Sequence, residues 1–207
     1  MHEMEAAMTM LKCQRKRGDD LVAAIHAAVF QELVTNGIER FSFESVAHRA
    51  GTGKASIYRR WSSREDLIIS AFQARSQAIT QAQSPVFTSL RDELLFMFSN
   101  TAVQLNTDFG IAVREIVAEL HRHAGFAELV RDYIIKDRNQ RISNAIQNAV
   151  TRGEIPQTEI TLAQIELGPA LITHHFFIYG TAPDATYIEH IVDDLLLPTF
   201  LSQKTTV

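Results

Sequence analysis

Between Phe41 and Leu67 the chain reads FSFESVAHRAGTGKASIYRRWSSREDL. Residues 40–64 hold Arg40, Arg49, Lys54, Arg59, Arg60 and Arg64 against one acid, Glu44. Cations interleaved with a tyrosine and small hydroxyl residues suit recognition of phosphates and base edges. Thr52, Gly53 and Lys54 open a short apolar-periodic segment. Ala55 and Ser56 are small enough for close approach, and a small apolar side chain can pack on a thymine methyl. Tyr58, Arg59 and Arg60 are predicted to reach phosphate. Arg64 follows at the start of another segment, where backbone N–H groups can also hold a phosphate. Ile57 and Trp61, four apart, point the other way, into a small core.

These residues need a scaffold, and the flanking pattern supplies one. Leu21, Ile25, Val29 and Leu33 recur every four residues, widened by Val22 and Phe30, which predicts a helix over 19–36 that ends at Asn36-Gly37. Ser42 is placed to cap a second helix at 43–50 that buries Val46, Ala47 and Ala50. Gly51 then permits a sharp turn into a third helix at 53–60. Two short helices joined by a glycine turn form a helix-turn-helix, whose second helix enters the major groove. Ser42 joins the candidate DNA contacts. A fourth helix begins after Ser62-Ser63, where Ser62 to Glu65 and Ser63 to Asp66 offer competing caps; Ser84-Pro85 stops it. Further helices read at 87–106, 109–122, 125–152, 159–180 and 184–202, with a kink expected at Gly168-Pro169. The fold class is all-α: a three-helix N-terminal module at 15–65 and a helical bundle at 66–207, about nine helices in all.

Charge distribution supports this division. The net charge is −4, yet residues 1–64 hold ten Lys/Arg against seven Asp/Glu, and the remainder ten against seventeen. A basic segment on an acidic body attracts phosphate locally. No apolar run reaches the ~18–20 residues of a membrane span. The first twenty residues do not form a signal peptide. Cys13, the only cysteine, cannot form an intrachain disulfide and fits a reducing cytoplasm. No nucleophile–base–orienter set and no phosphate-cradling glycine loop is visible, so neither an enzyme nor a cofactor is expected. His121 and His123 diverge around a helix, as do His174 and His175, so no metal is expected.

The segment resembles the DNA-binding domain of the TetR family of bacterial regulators. The resemblance rests on Gly37-Ile38, Ser42, Val46-Ala47-His48-Arg49-Ala50-Gly51, Ile57-Tyr58, Trp61 and Arg64-Glu65-Asp66-Leu67, over about residues 19–72. Arg60 and Trp61 depart from the family's usual His or Tyr and Phe, keeping phosphate reach and a core aromatic. RGEIP at 152–156 and LGP at 167–169 resemble one subgroup of TetR C-terminal domains. The resemblance implies an inducible repressor: a double-stranded DNA operator, a homodimer and an apolar small-molecule inducer.

The phenylalanines at 96, 98, 109 and 126 read first as core, with some lining an inducer pocket. Phe96, Arg114, Glu119, Phe126, His174 and Phe177 are the pocket candidates, with Glu115 a further anchor. Leu162, Ile165, Leu171, Ile172 and Phe176, with Ile188, Ile191, Val192, Leu195 and Leu196, exceed what one monomer face requires. They predict a four-helix dimer interface, the other reading being a larger monomeric core. Two competing functions are a small-molecule-binding or scaffold protein without DNA affinity and a helical enzyme.

Overall fold

The computed structural model describes residues 18–81, 85–120, 122, 124–157 and 159–201. Cys13, the expected module start at 15, Ser84, His121 and His123 lie outside them. Nine helical runs and no strand occur among the described residues. They are α1 (Asp19–Asn36), α2 (Phe43–Ala50), α3 (Lys54–Tyr58), α4 (Arg64–Gln81), α5 (Leu90–Leu105) and α6 (Asp108–Leu120). α7 runs as Ala124–Val130, a π turn at Arg131–Ile135, and Lys136–Arg152. α8 is Leu162–Tyr179, and α9 runs as Ala185–His190, a π turn at Ile191–Leu196, and Leu197–Leu201.

Local chemistry sets the boundaries. Ser42 Oγ accepts from Ser45 N–H at 3.1 Å and starts α2. Gly51 ends it with φ +68°, a conformation that costs a Cβ-bearing residue about 1–2 kcal/mol. Thr52 N–H then bonds back to Ala47 O at 2.9 Å, closing the C-terminal wrap. At α4 the Ser63 register wins: Ser63 Oγ accepts from Asp66 N–H at 3.0 Å, while the Ser62 hydroxyl donates to the Asp66 carboxylate. α8 starts at 162 rather than 159 because Thr161 and Gln164 form a capping box. It continues as one helix through Gly168-Pro169. Gly168 lets α8 approach its neighbours closely: a Cβ there would lie 2.7 Å from Phe98 Cζ and 3.0 Å from Leu196 Cδ1.

Two apolar clusters result. The first joins α1–α4 to Ala112, Ile116, Phe126 and Val130 from α6 and α7. Ile25, Val29, Val46, Ile57, Leu67 and Ile68 have no exposure in it. Each such side chain contributes about 1.5–3 kcal/mol by leaving water. The second cluster joins α5, α7, α8 and α9.

The predicted dimer residues need correction. Ile172, Phe176, Ile188, Ile191, Val192 and Leu196 are buried inside the protomer. The reason is coverage by the chain itself: α5 packs on both α8 and α9, α7 packs on α8, and α8 and α9 pack on each other, which together consume their bulky apolar faces. Ile165 and Leu171 are half-buried against the same core, whereas Leu162 and Leu195 are exposed.

Candidate nucleic-acid interface and ligand cavity

α3 is held from behind. Ile57 is fully buried, and Trp61 lies within the same core, 5.6 Å from the His26 ring. His26 Nε2 also contacts Ser70 Oγ at 3.0 Å, tying α1 to α4. Burial pushes the His26 imidazole below its ordinary value, because the charged form loses its hydration.

The outward face carries the expected side chains with one exception. Thr52 is half-exposed, and Gly53, Lys54, Ala55, Tyr58, Arg59 and Arg60 are exposed. Tyr58 packs its ring edge-on against Phe43, with centroids 4.8 Å apart, and still leaves 57% of itself in solvent. Ser56 corrects the sequence reading. It is buried beside Ile57, because these two adjacent positions straddle the inward-facing line of α3. Its hydroxyl is therefore not presented to base edges. Its carbonyl accepts from Arg60 Nη1 at 2.8 Å. Ser42 is half-buried and engaged as a cap, also contacting Ser45 Oγ at 2.9 Å.

Several cations are pre-oriented by acids. Lys54 Nζ donates to Glu44 Oε1 at 2.7 Å, with both groups exposed. That hydrogen bond holds the Glu44 carboxyl below its usual range and raises Lys54. Arg64 Nε donates to Glu65 at 2.6 Å. Arg49 reaches the fully buried Glu32 at 2.6 Å, and Asn36 donates to the same carboxylate at 2.8 Å. The Arg49 pair therefore braces α1 against α2, while the Lys54 pair lies open to solvent.

Comparisons with known proteins agree. The family description "Tetracyclin repressor-like, C-terminal domain" matches residues 88–195, and "Bacterial regulatory proteins, tetR family" matches residues 25–71. The chain belongs to the TetR family. It is a DNA-binding transcriptional regulator. Among relatives, it is 27% identical to the DNA-binding transcriptional repressor TetR of Mycobacteroides abscessus over 183 residues, 87% of this chain and 94% of that one. A solved TetR family transcription regulator, SCO0332, shares the fold with a TM-score of 0.68 at 20% identity, covering 86% and 97% of the two chains. The multidrug binding protein EbrR, solved with ethidium, matches with a TM-score of 0.55 at 16% identity over 84% and 98%.

The C-terminal domain of this TetR-family chain contains a cavity of about 370 Å³. Phe87, Phe96, Met97, Phe98, Phe109 and Ile134 contribute to an apolar wall. Asn100, Thr101, Gln104, Arg138, Arg141 and Thr173 supply polar groups. Of the four phenylalanines read as core or pocket, Phe96, Phe98 and Phe109 line it, and of the six named pocket candidates Phe96 does. Arg114 instead stacks over the Phe176 ring at 4.3 Å and donates to Gly180 O. Glu119 is buried at the α6 end, 3.6 Å from Arg122. Phe126 belongs to the first core, His174 is exposed, and Phe177 packs on the second core. Glu115 accepts from Ile38 N–H at 3.1 Å, linking the bodies rather than lining the cavity. Arg138 was missed because its segment, KDRNQR, reads as a solvated face. The available signal was spacing: Ile134, Arg138 and Ile142 lie four apart on one helical face.

No described helix is long and apolar enough to cross a membrane.

Proposed function

We propose that this regulator is a homodimeric repressor whose grip on its operator is released when a small, mainly apolar molecule occupies the C-terminal cavity. Two α3 helices, one from each protomer, would enter successive major grooves about 34–36 Å apart. Thr52, Lys54 and Ala55 would meet the bases, while Tyr58, Arg59, Arg60 and Arg64 would take phosphates. The observation that carries the reading is the position of Phe109. It lines the cavity, and its ring also packs on Phe72 at 5.1 Å and on Phe30 at 5.9 Å, inside the DNA-binding core. Gln104 adds a polar route, because its amide oxygen accepts two bonds from Arg75 on α4 at 3.0 and 2.7 Å. A ligand that moves these walls favours one orientation of α4, and shifts the equilibrium only by its differential affinity for the two conformers.

Dimerisation would use the outer faces of α8 and α9. Ala163, Ala170, His174 and Ile178 are exposed, and steps of seven, four and four place them on one stripe of α8. On α9, Leu195 and Leu201 are exposed leucines. The ethidium complex of EbrR, a protein sharing this fold, lends support to binding of a small molecule.

The test uses a neutral environment-sensitive dye, phenylnaphthylamine. The account expects fluorescence enhancement on binding, loss of enhancement in Thr173→Trp, which fills the cavity, and weaker operator binding when the dye is saturating. Unchanged operator affinity at saturation would contradict it.

A further inference from the structure

The following rests on the cavity being the inducer site, and specifies the ligand's chemistry. We infer that the cavity takes an anion with an apolar body, a carboxylate carried on an aromatic or aliphatic frame, with Arg138 as its charge partner.

Three observations carry this. Arg138 lines a cavity whose wall is mostly phenylalanine and aliphatic carbon. Its Nε and Nη2 donate to Asn139 Oδ1 at 3.2 and 3.0 Å, so a neutral amide takes these donors. No carboxylate of the described residues forms an ion pair with it. Glu166 acts only at a distance and through the intervening Asn139, whose amide donates to it at 3.0 Å. Burial lowers the Arg138 guanidinium, and Glu166 only partly restores it. A guanidinium keeps its proton even when buried, so a desolvated arginine facing neutral groups is electrostatically under-compensated. A ligand carboxylate would supply the missing charge through a bidentate, charge-assisted pair.

The neighbours fit the same occupant. Arg141 also lines the cavity and contributes positive potential, although Asp137 lies 3.0 Å away and Ser76 2.9 Å away. Asn100, Thr101 and Thr173 offer neutral hydrogen bonds. Glu93 is the one acid in the wall. Burial raises its carboxyl, and Arg152 at 3.9 Å opposes that, so it stands already paired. A cation would meet two guanidinium groups in an apolar chamber, an arrangement that costs energy. The volume lies near the lower end of the roughly 300–1,000 Å³ usual for small-molecule sites, which favours a compact acid.

The experiment displaces phenylnaphthylamine from the full chain with octanoate and cinnamate, each matched to its primary amide and corresponding primary amine. Each acid is expected to displace dye at about tenfold lower concentration than its amide, with the amine weakest. In Arg138→Gln the advantage of acid over amide should shrink to about twofold or less, while Arg138→Lys retains part of it. Amides or amines matching the acids in the wild-type chain would overturn the anion assignment and leave the cavity reading standing. An undiminished acid preference in Arg138→Gln would overturn the role of Arg138. Dye binding indifferent to Thr173→Trp would remove the cavity reading, and this inference with it.

Discussion

The N-terminal core and the C-terminal bundle solve opposite problems with the same helices. Around Ile25, Val46, Ile57 and Leu67 the interior is filled, and the surface outside α3 carries cations pre-oriented by Glu44 and Glu65. In the bundle the helices stand apart enough to leave about 370 Å³, and two arginines turn toward that space. A rigid, filled module presents a fixed surface to a rigid duplex. A body with an unfilled interior can adopt different packings with and without an occupant. The two regions share a seam at Phe30, Phe72 and Phe109, where ring contacts run from the filled core to the cavity wall.

The contrast can be broken most directly by matched truncations. Ile57→Ala removes methyls from a site with no exposure and should cost about 2–5 kcal/mol in chemical denaturation. Ile142→Ala, likewise buried but in the cavity wall of the second cluster, should cost about 1–2 kcal/mol less, because one side of it already faces the cavity and has fewer packing partners to lose. Equal losses would mean the two interiors are not different in kind. Next in size, Tyr58→Ala should weaken DNA binding about tenfold on every operator variant alike, as measured by fluorescence anisotropy. A changed base preference at one position would instead make Tyr58 a base reader. Ser56→Ala should leave base preference unaltered, since that side chain is buried.

What the residues disclosed in advance follows the same division. α1 and α2 begin and end where the spacing of Leu21, Ile25, Val29 and Leu33 and the Ser42 and Gly51 signals place them. Local periodicity and capping chemistry sufficed there, because a small module leaves few ways to bury a helix. Ser56 was misjudged because a five-residue helix has too little pattern to orient its adjacent positions. The cavity was less legible. It is a space between helices distant in sequence, and Arg138 resembles any exposed basic residue until Ile134 and Ile142 are counted from it. Apolar side chains on α8 and α9 predicted a partner chain, yet packing on α5, on α7 and on each other claims most of them. Apolarity shows that a face is covered without showing by which neighbour.

Smaller effects sharpen the account. His26 is held neutral by burial, so its folded pKa lies below its unfolded one and the unfolded chain binds more protons. Stability should therefore be fully present above the usual imidazole value and decline as pH falls from about 7 toward 5. The melting temperature should drop over that window, and His26→Phe should flatten the decline; an equally steep decline in that variant would exclude His26. Smallest of all, Arg75→Ala should leave dye affinity within about twofold while reducing ligand-driven operator release, a coupling change of about 0.5–2 kcal/mol. Unaltered release would exclude the Arg75–Gln104 link as part of the route.

Selection of bound duplexes from a random pool by the full chain tests the central claim, that the leading end of α3 reads DNA, most directly. The account predicts enrichment of an inverted repeat whose half-sites lie about one helical turn apart, with Lys54→Ala and Thr52→Ala altering or abolishing the enriched sequence. The same repeat enriched by both variants as by the unaltered chain would contradict it.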